Sequence, residues 1–143
     1  MKNLIIKLVD TDSFEICIKD KRGDHIESQQ LPIDCWSLED YQKQWKEGLE
    51  RIKAHNESML VIWVNKLNKN PDIAYFALYK IGKKIHIQEC GIIGKKDYKD
   101  LSKEYGPFNV ENCYKYIPMP YEPLDEGDSE LTDYVLEYVI DIE

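Results

Sequence analysis

The chain has 143 residues, of which 43% are hydrophobic and 32% charged, a size and composition typical of one soluble globular domain. No apolar run approaches the roughly 20 residues that span a bilayer, and the short N-terminal apolar run, which Lys7 interrupts, lacks the cleavage site of a signal peptide. We therefore expect a single cytoplasmic domain over residues 1–143 that makes no contact with a membrane.

The N-terminal part of the chain predicts three strands. Residues 4–9 are aliphatic and β-branched, and Phe14, Ile16 and Ile18 then alternate with the period of a strand. Residues 21–24 have the composition of a turn, so residues 25–33 can return as the partner strand. Pro32 indicates an edge or an exit from the sheet.

Residues 37–54 carry the strongest helix pattern. Ser37 is a suitable N-cap, and Glu39 and Asp40 place negative charge in the first turn. One apolar stripe recurs at three- and four-residue steps and contains Leu38, Tyr41, Trp45, Gly48, Leu49 and Ile52. Because glycine costs about 1 kcal/mol of helix propensity relative to alanine, Gly48 predicts a close approach of this helix to a sheet.

The remainder of the chain predicts further strands and one short helix. Residues 58–64 are almost continuously apolar, the pattern of a central strand covered on both faces. Residues 73–80 and 84–89 predict a hairpin, and residues 95–105 a short helix. After an extended aromatic and proline segment at 114–121, residues 134–142 have strand composition. The expected fold is a single α+β domain, a mainly antiparallel sheet with one principal amphipathic helix packed on it.

The negative charge lies at the C-terminus. The formal net charge is −8, yet residues 121–143 contain nine acidic residues and no Lys or Arg, which leaves residues 1–120 nearly neutral. Such a segment repels nucleic-acid phosphates and attracts basic proteins. A solvated acidic tail that only aids solubility has the same composition.

Recognisable chemistry is absent from the sequence. The seven glycines are scattered and form no phosphate-binding loop, and the C-terminal acids lack the alternate spacing of an EF-hand. His86 alternates with apolar residues and shares one strand face with Lys84 and Gln88. We expect a solvent-side position for His86, with a general acid or base as the alternative. The four cysteines form no C-x-x-C pair and predict reduced thiols. Neither a cofactor nor a metal is expected.

Several stretches between residues 36 and 131 together form a family pattern. They are WKEGLERI at 45–52, Ser58 before an apolar strand, and the hairpin LYKIGKKIHIQ at 78–88. Further along come Tyr116, Ile117 and Pro118, followed by EGDSEL at 126–131. In these stretches the chain resembles bacterial immunity proteins of contact-dependent growth inhibition systems. The sequence departs from that pattern at Leu131, where Trp is expected, and the strands before residue 36 are not part of the resemblance.

The resemblance implies a stoichiometric inhibitor and not an enzyme. Such proteins bind the C-terminal toxin domain of an effector delivered by sibling cells, often a nuclease, in the cytoplasm and without a cofactor. Because nuclease active sites are basic, carboxylates can plug them, and the acidic segment becomes the candidate contact surface. The candidate contact residues are the acids Glu122, Asp125, Glu126, Asp128 and Glu130, with Tyr116 and Tyr121 as aromatic anchors.

Two other interpretations stay open. A small nucleic-acid-binding or nucleic-acid-processing protein would use the Lys80–Lys103 surface, where lysines and tyrosines interleave as in a single-strand groove. The pI of about 4.9 argues against nucleic acid as a ligand, and a basic face could equally dock the chain's own acidic segment. A small enzyme would assemble its site from His86 and distant carboxylates.

Overall fold

The computed structural model of the protein describes residues 1–124 and 137–142. Within this part, the strands form two antiparallel sheets. Sheet A contains, in spatial order, β1 (Leu4–Leu8), β2 (Ser13–Asp20) and β3 (Gly23–Gln30). Sheet B contains β4 (Glu57–Asn65), β5 (Asp72–Ile81), β6 (Lys84–Ile93) and β7 (Glu137–Asp141). Helix α1 (Leu38–Ala54) connects the two sheets in sequence, and α2 (Lys95–Tyr105) and a 3₁₀ helix (Cys113–Tyr116) follow β6, so the predicted α+β class is confirmed.

The predicted elements agree with the structure except in one position. Ser37 forms a capping box with Asp40, as its N-cap pattern predicted, and the hairpin and short helix are also confirmed. The strand predicted at 134–142 is confirmed as β7 from Glu137, and residues 134–136 lie outside the described residues. The prediction that residues 58–64 form a central strand is wrong, because β4 is the first strand of sheet B. Both faces of β4 are nevertheless covered, and this produced the continuous apolar pattern.

One hydrophobic core serves both sheets. On β2, the side chains of Phe14, Ile16 and Ile18 are buried at every second position, because successive side chains of a strand point to opposite faces. On β4, residues 59–62 are buried without interruption. Helix α1 connects the sheets, since the Trp45 ring lies 5.9 Å from the Phe14 ring of sheet A and also contacts β4.

Helix α1 covers the free edge of β4. Among the described strands β4 pairs only with β5, so its outward backbone groups need other hydrogen-bond partners. The Gln44 amide supplies two of them: its Nε2 donates to the Met59 carbonyl at 2.8 Å, and its Oε1 accepts from the Val61 N–H at 2.7 Å. Trp45 Nε1 donates to the Val61 carbonyl at 2.7 Å. Two helix side chains thus substitute for a neighbouring strand.

Tyr41 extends this edge contact towards the end of β4. A β-bulge after Val61 shifts the register, and the Val64 N–H then donates to the Tyr41 hydroxyl at 3.1 Å. The hydroxyl in turn donates to the Pro32 carbonyl at 2.8 Å. Burial raises the pKa of Tyr41, so the hydroxyl keeps the proton that it donates.

Gly48 is the point of closest approach between α1 and β4. A Cβ atom at this position would overlap the Met59 carbonyl oxygen and press on the Leu60 side chain. The Ser58 hydroxyl donates to the Gly48 carbonyl at 2.7 Å, which holds the two backbones together. The close approach that Gly48 predicted is therefore confirmed.

Side chains of the β2–β3 turn and of the residue before β1 also bind the outer edge of β7. Arg22 Nη2 donates to the Glu137 carbonyl at 3.2 Å, and Asn3 Nδ2 donates to the Asp141 carbonyl at 3.3 Å. Arg22 also lies 5.8 Å from the centre of the Tyr138 ring. These contacts hold the β2–β3 turn against sheet B.

Asp20 organises the β2–β3 turn. Its side chain is 2% exposed, and it accepts from Arg22 Nη2 at 2.6 Å and from His25 Nε2 at 2.9 Å. Burial by itself would raise the pKa of Asp20, but the hydrogen bonds from Arg22 and His25 outweigh burial and hold the pKa below its usual value. The ionised carboxylate therefore stabilises the turn.

Gly48→Ala is expected to destabilise the protein by about 2 kcal/mol, because overpacking at the edge of β4 outweighs the better helix propensity of alanine. The free energy of unfolding in urea measures the effect. Gly91→Ala is the matched control, since a Cβ there would lie at an ordinary 3.5 Å from the Ile73 carbonyl oxygen. Equal stability of the two variants would contradict the close approach at Gly48.

Gln44→Met is expected to lower the free energy of unfolding by about 2–4 kcal/mol, because it leaves the Met59 carbonyl and the Val61 N–H buried without partners. Gln42→Met, at an exposed position of the same helix, should change stability by less than about 0.5 kcal/mol. Similar losses in both variants would show that the amide of Gln44 does not act on the edge of β4.

Asp20→Asn is expected to reduce stability at pH 7 by about 1–3 kcal/mol through the loss of charge-assisted hydrogen bonds. Because the native pKa of Asp20 is lowered, its contribution is present above the unfolded-state pKa of about 3.9 and is lost as the pH falls through the native value. The difference in unfolding free energy between wild type and variant should therefore be constant from pH 7 to about pH 5 and should narrow progressively as the pH falls below about 3.9. A constant difference from pH 7 to pH 3 would contradict a stabilising role for the ionised carboxylate of Asp20.

Candidate partner-binding site

The aromatic and proline segment predicted at 114–121 lies across one face of sheet B. Two tyrosines of β5 hold it there through its carbonyl groups. The Tyr75 hydroxyl donates to the Tyr116 carbonyl at 3.2 Å, and the Tyr79 hydroxyl donates to the Pro118 carbonyl at 2.7 Å. Burial raises the pKa of Tyr79 to about 12, so this hydroxyl remains a donor at neutral pH.

Four side chains form a polar cluster on the same face of sheet B: His86 and Gln88 of β6, Tyr121, and Glu137 of β7. The Tyr121 hydroxyl lies 2.7 Å from Glu137 Oε1 and 2.8 Å from His86 Nδ1. Gln88 Nε2 donates to the same Glu137 oxygen at 2.9 Å. The cluster is largely shielded from solvent, because the Glu137 and His86 side chains are only 12% and 21% exposed.

Which group donates in each of these hydrogen bonds follows from the proton on Tyr121 and the negative charge on Glu137. Burial first, and then the neighbouring Glu137 carboxylate, raises the pKa of Tyr121 above its usual value, so its hydroxyl stays protonated. The hydroxyl proton is donated to Glu137, which leaves an oxygen lone pair facing His86 Nδ1. His86 Nδ1 therefore carries a proton and donates it to Tyr121.

Gln88 makes a second bond outside the cluster. Its Nε2 donates to the Glu122 carbonyl at 2.7 Å. Glu122 and Glu137 are separated in sequence by residues 123–136, which contain five acidic residues. The side chain of Gln88 thus binds the residues that precede and follow 123–136 in the chain.

The predicted contact residues differ in how exposed they are. Glu122 is exposed, and Tyr121 is half-buried in the polar cluster. Tyr116 is 5% exposed, its hydroxyl donates to the Gly106 carbonyl, and its ring packs against those of Tyr105 and Phe108. The other predicted acids, Asp125, Glu126, Asp128 and Glu130, lie outside the described residues. The contact role of all seven residues stays a prediction.

Sequence reasoning missed the roles of Gln88 and Glu137. The alternating pattern of β6 predicted that Gln88 and His86 lie on the same face of the strand, and the structure agrees. Nothing in the local sequence indicated which residue both of them contact. That partner is Glu137, because the pairing of β6 with β7 sets Glu137 directly opposite Gln88. His86 is consequently half-buried and does not take the solvent-side position that was expected.

The lysines between Lys80 and Lys103 do not form one continuous surface. Lys83 and Lys84 lie at the β5–β6 turn, whereas the lysines from Lys95 onwards belong to α2, beyond the far end of β6. A ten-residue strand spans about 30 Å, which separates the two groups. Lys84 is also paired with Asp141 at 2.6 Å. The structure thus divides these lysines between the two ends of β6, and the nucleic-acid interpretation stays a prediction.

Residues 1–124 and 137–142 contain no group of three or more His, Cys, Asp or Glu side chains that could hold a metal ion. No helix in these residues has the length and apolar character needed to cross a membrane. The four cysteines are free thiols, and burial raises the pKa of Cys113 to about 12.

A solved structure has a similar fold. The chain aligns with a chain of the CdiA-CT/CdiI toxin and immunity complex from Enterobacter cloacae, with a TM-score of 0.59 and 20% sequence identity. The alignment covers 97% of this chain and 85% of the other, so sheet A is included in the shared fold. No curated protein matches the sequence.

A family model assigns the chain to a family, which a structural match at 20% identity cannot do. The model for the CdiI N-terminal domain matches residues 31–138, which excludes the strands of sheet A and includes α1 and the strands from β4 to the start of β7. The match covers about three quarters of the sequence. The chain therefore belongs to the CdiI N-terminal domain family, the immunity proteins of contact-dependent growth inhibition that its sequence resembles.

Proposed function

We propose that this chain binds the toxin domain of a contact-dependent growth inhibition system and neutralises it in the cytoplasm. Membership of the CdiI N-terminal domain family supports the binding role. The similar chain from Enterobacter cloacae comes from a complex of a toxin with its immunity protein, which supports the same class of partner. The chain acts by stoichiometric binding: it uses no cofactor and catalyses no reaction.

The proposed contact surface is the acidic C-terminal segment, with Tyr121 and Glu122 at its start. The observation that carries this assignment is the concentration of charge: nine acidic residues and no basic residue lie in 121–143. Glu122 is exposed beside the polar cluster, so the acidic residues begin on a structured support. Tyr121 and Tyr116 are the proposed aromatic anchors of this surface.

The charge of this surface indicates the chemistry of the partner. An acidic surface associates quickly with a basic protein, and the gain in association rate weakens as salt screens the charges. A toxin that binds nucleic acid has a basic active site, so we propose a nuclease as the cognate toxin. Carboxylates of the acidic segment would occupy the positions of substrate phosphates, and nucleic acid itself is not a partner of this chain.

Triple charge reversal, Asp125→Lys with Glu126→Lys and Asp128→Lys, is expected to slow association with the toxin at low salt by about 10- to 100-fold, because it removes electrostatic steering. The toxin domain is taken from the C-terminus of the secreted protein encoded immediately upstream. Stopped-flow association rates over a salt series measure the effect, and cells that express the toxin domain with the variant should lose protection.

Reversal of three exposed acids on α2, Asp97→Lys with Asp100→Lys and Glu104→Lys, is the matched control. It changes net charge by the same amount at a different surface, and it should retain most of the association rate and full protection. Unchanged protection and unchanged salt dependence in the C-terminal triple variant would reject the acidic segment as the contact surface.

A further inference from the structure

We propose that the outer face of sheet A binds a second copy of this chain, so that the protein forms a twofold-symmetric dimer at high concentration. This surface is separate from the candidate partner-binding site, and the proposal does not depend on the proposed function. The second copy is inferred from an apolar row that crosses the face and from the charges on either side of that row.

The apolar row crosses all three strands of sheet A. The strand register sets Ile5 of β1, Cys17 of β2 and Ile26 of β3 side by side. Cys17 lies between Ile16 and Ile18, which are both buried in the core, so the row is on the face that points away from the core. Ile5 is 40% exposed and Ile26 is 63% exposed. Sheet A therefore presents a contiguous apolar strip to solvent.

This strip differs from ordinary surface exposure. Single exposed apolar side chains are common on monomeric proteins and need no partner. Here both outer strands place a β-branched apolar side chain next to the same central residue, Cys17. Packing the strip against an equivalent strip removes both from water, as in the packing of two sheets face to face.

Charged residues lie on the same face, two positions from Cys17 on either side. Glu15 precedes Cys17 and Lys19 follows it, and side chains two residues apart on a strand share a face. Among the residues that the structure describes, neither Glu15 nor Lys19 has an ion-pair partner. Both charges are therefore available to another molecule.

The order of these charges favours a second copy and selects its orientation. A twofold axis along the apolar row reverses the strand direction of the second copy, so Glu15 of each copy meets Lys19 of the other. The same rotation sets Ser28, the neighbour of Glu15, opposite Asp24, the neighbour of Lys19. An axis parallel to the strands would instead set Glu15 against Glu15 and Lys19 against Lys19, and these like charges would repel. The face is thus complementary to itself in one orientation.

The size of the face predicts a weak dimer. The face is three strands wide, which corresponds to about 10 Å between the two outer strands, so the contact lies at the small end of specific interfaces. We therefore expect a Kd in the micromolar range, with monomers in dilute solution. The face shares no residue with the polar cluster or with the aromatic segment at 114–121, so each copy keeps its own candidate partner-binding site.

The first experiment measures self-association of the full chain by sedimentation equilibrium in reducing buffer, at concentrations up to several hundred micromolar. The weight-average mass should rise from 16.9 kDa towards twice that value. Ile26→Lys should raise the dimer Kd at least about 10-fold, because it places a charge in the apolar row. Ile93→Lys is the matched control, since Ile93 is 72% exposed at the end of β6, and it should leave the Kd unchanged. A wild-type chain that stays monomeric, or equal Kd values for the two variants, would overturn the proposal.

The second experiment tests the orientation by exchanging the two charges at low salt. Glu15→Lys alone and Lys19→Glu alone each set like charges opposite one another, and each should raise the dimer Kd about 10-fold. The double variant restores opposite charges and should return the Kd to within about twofold of wild type. Circular dichroism establishes that each variant is folded. A double variant that associates as weakly as the single variants would overturn the twofold arrangement.

Binding of the cognate toxin domain distinguishes a second copy from the toxin as the occupant of this face. Ile26→Lys should bind the toxin domain with the Kd of wild type. Loss of toxin binding in Ile26→Lys, with a wild-type chain that stays monomeric, would assign the face to the toxin and reject the dimer. Absence of toxin binding by the wild-type chain would instead reject the proposed function and leave the self-association result to stand by itself.

Discussion

One edge of β4 has no neighbouring strand within the part of the chain that the structure describes, and side chains of α1 take the place of that strand. The Gln44 amide and the Trp45 indole bind three backbone groups of this edge, and Gly48 lets the helix come close enough for them to reach. An open sheet edge invites pairing with another chain, and covering it with a helix prevents this. Because Trp45 also packs against Phe14, the same contact connects sheet B to sheet A and closes the hydrophobic core.

With this edge occupied, sheet B can present one of its faces to the C-terminal part of the chain. Tyr75 and Tyr79 donate to carbonyls of the segment that crosses this face, and that segment leads directly to Tyr121 and Glu122. The binding site of the proposed function thus depends on hydrogen bonds from one rigid sheet to backbone atoms of an extended segment. Such a support suits an inhibitor, which must present a surface and has no need to move reacting groups.

The residues recognised from the sequence are those whose roles depend on near neighbours. Ser37 and Asp40 cap the helix three residues apart, and the alternation of Phe14, Ile16 and Ile18 indicates a half-buried strand without reference to its partner. Gln44 has the spacing of the apolar stripe and is buried with it, but a polar residue adds nothing to an apolar pattern. Its partners are backbone groups of β4, which have the same chemistry in every sequence and leave no pattern there.

The amino-acid sequence by itself determined the α+β class, the extent of most elements, the close approach at Gly48 and the separation of charge between residues 1–120 and 121–143. Each of these follows from local periodicity, capping chemistry or composition. Only the tertiary structure decided that β4 lies at an edge, that the lysines divide between two ends of β6, and that Gln88, Tyr121 and Glu137 meet. Those results depend on strand order and register, which are set by the packing of residues far apart in the chain and not by any local pattern.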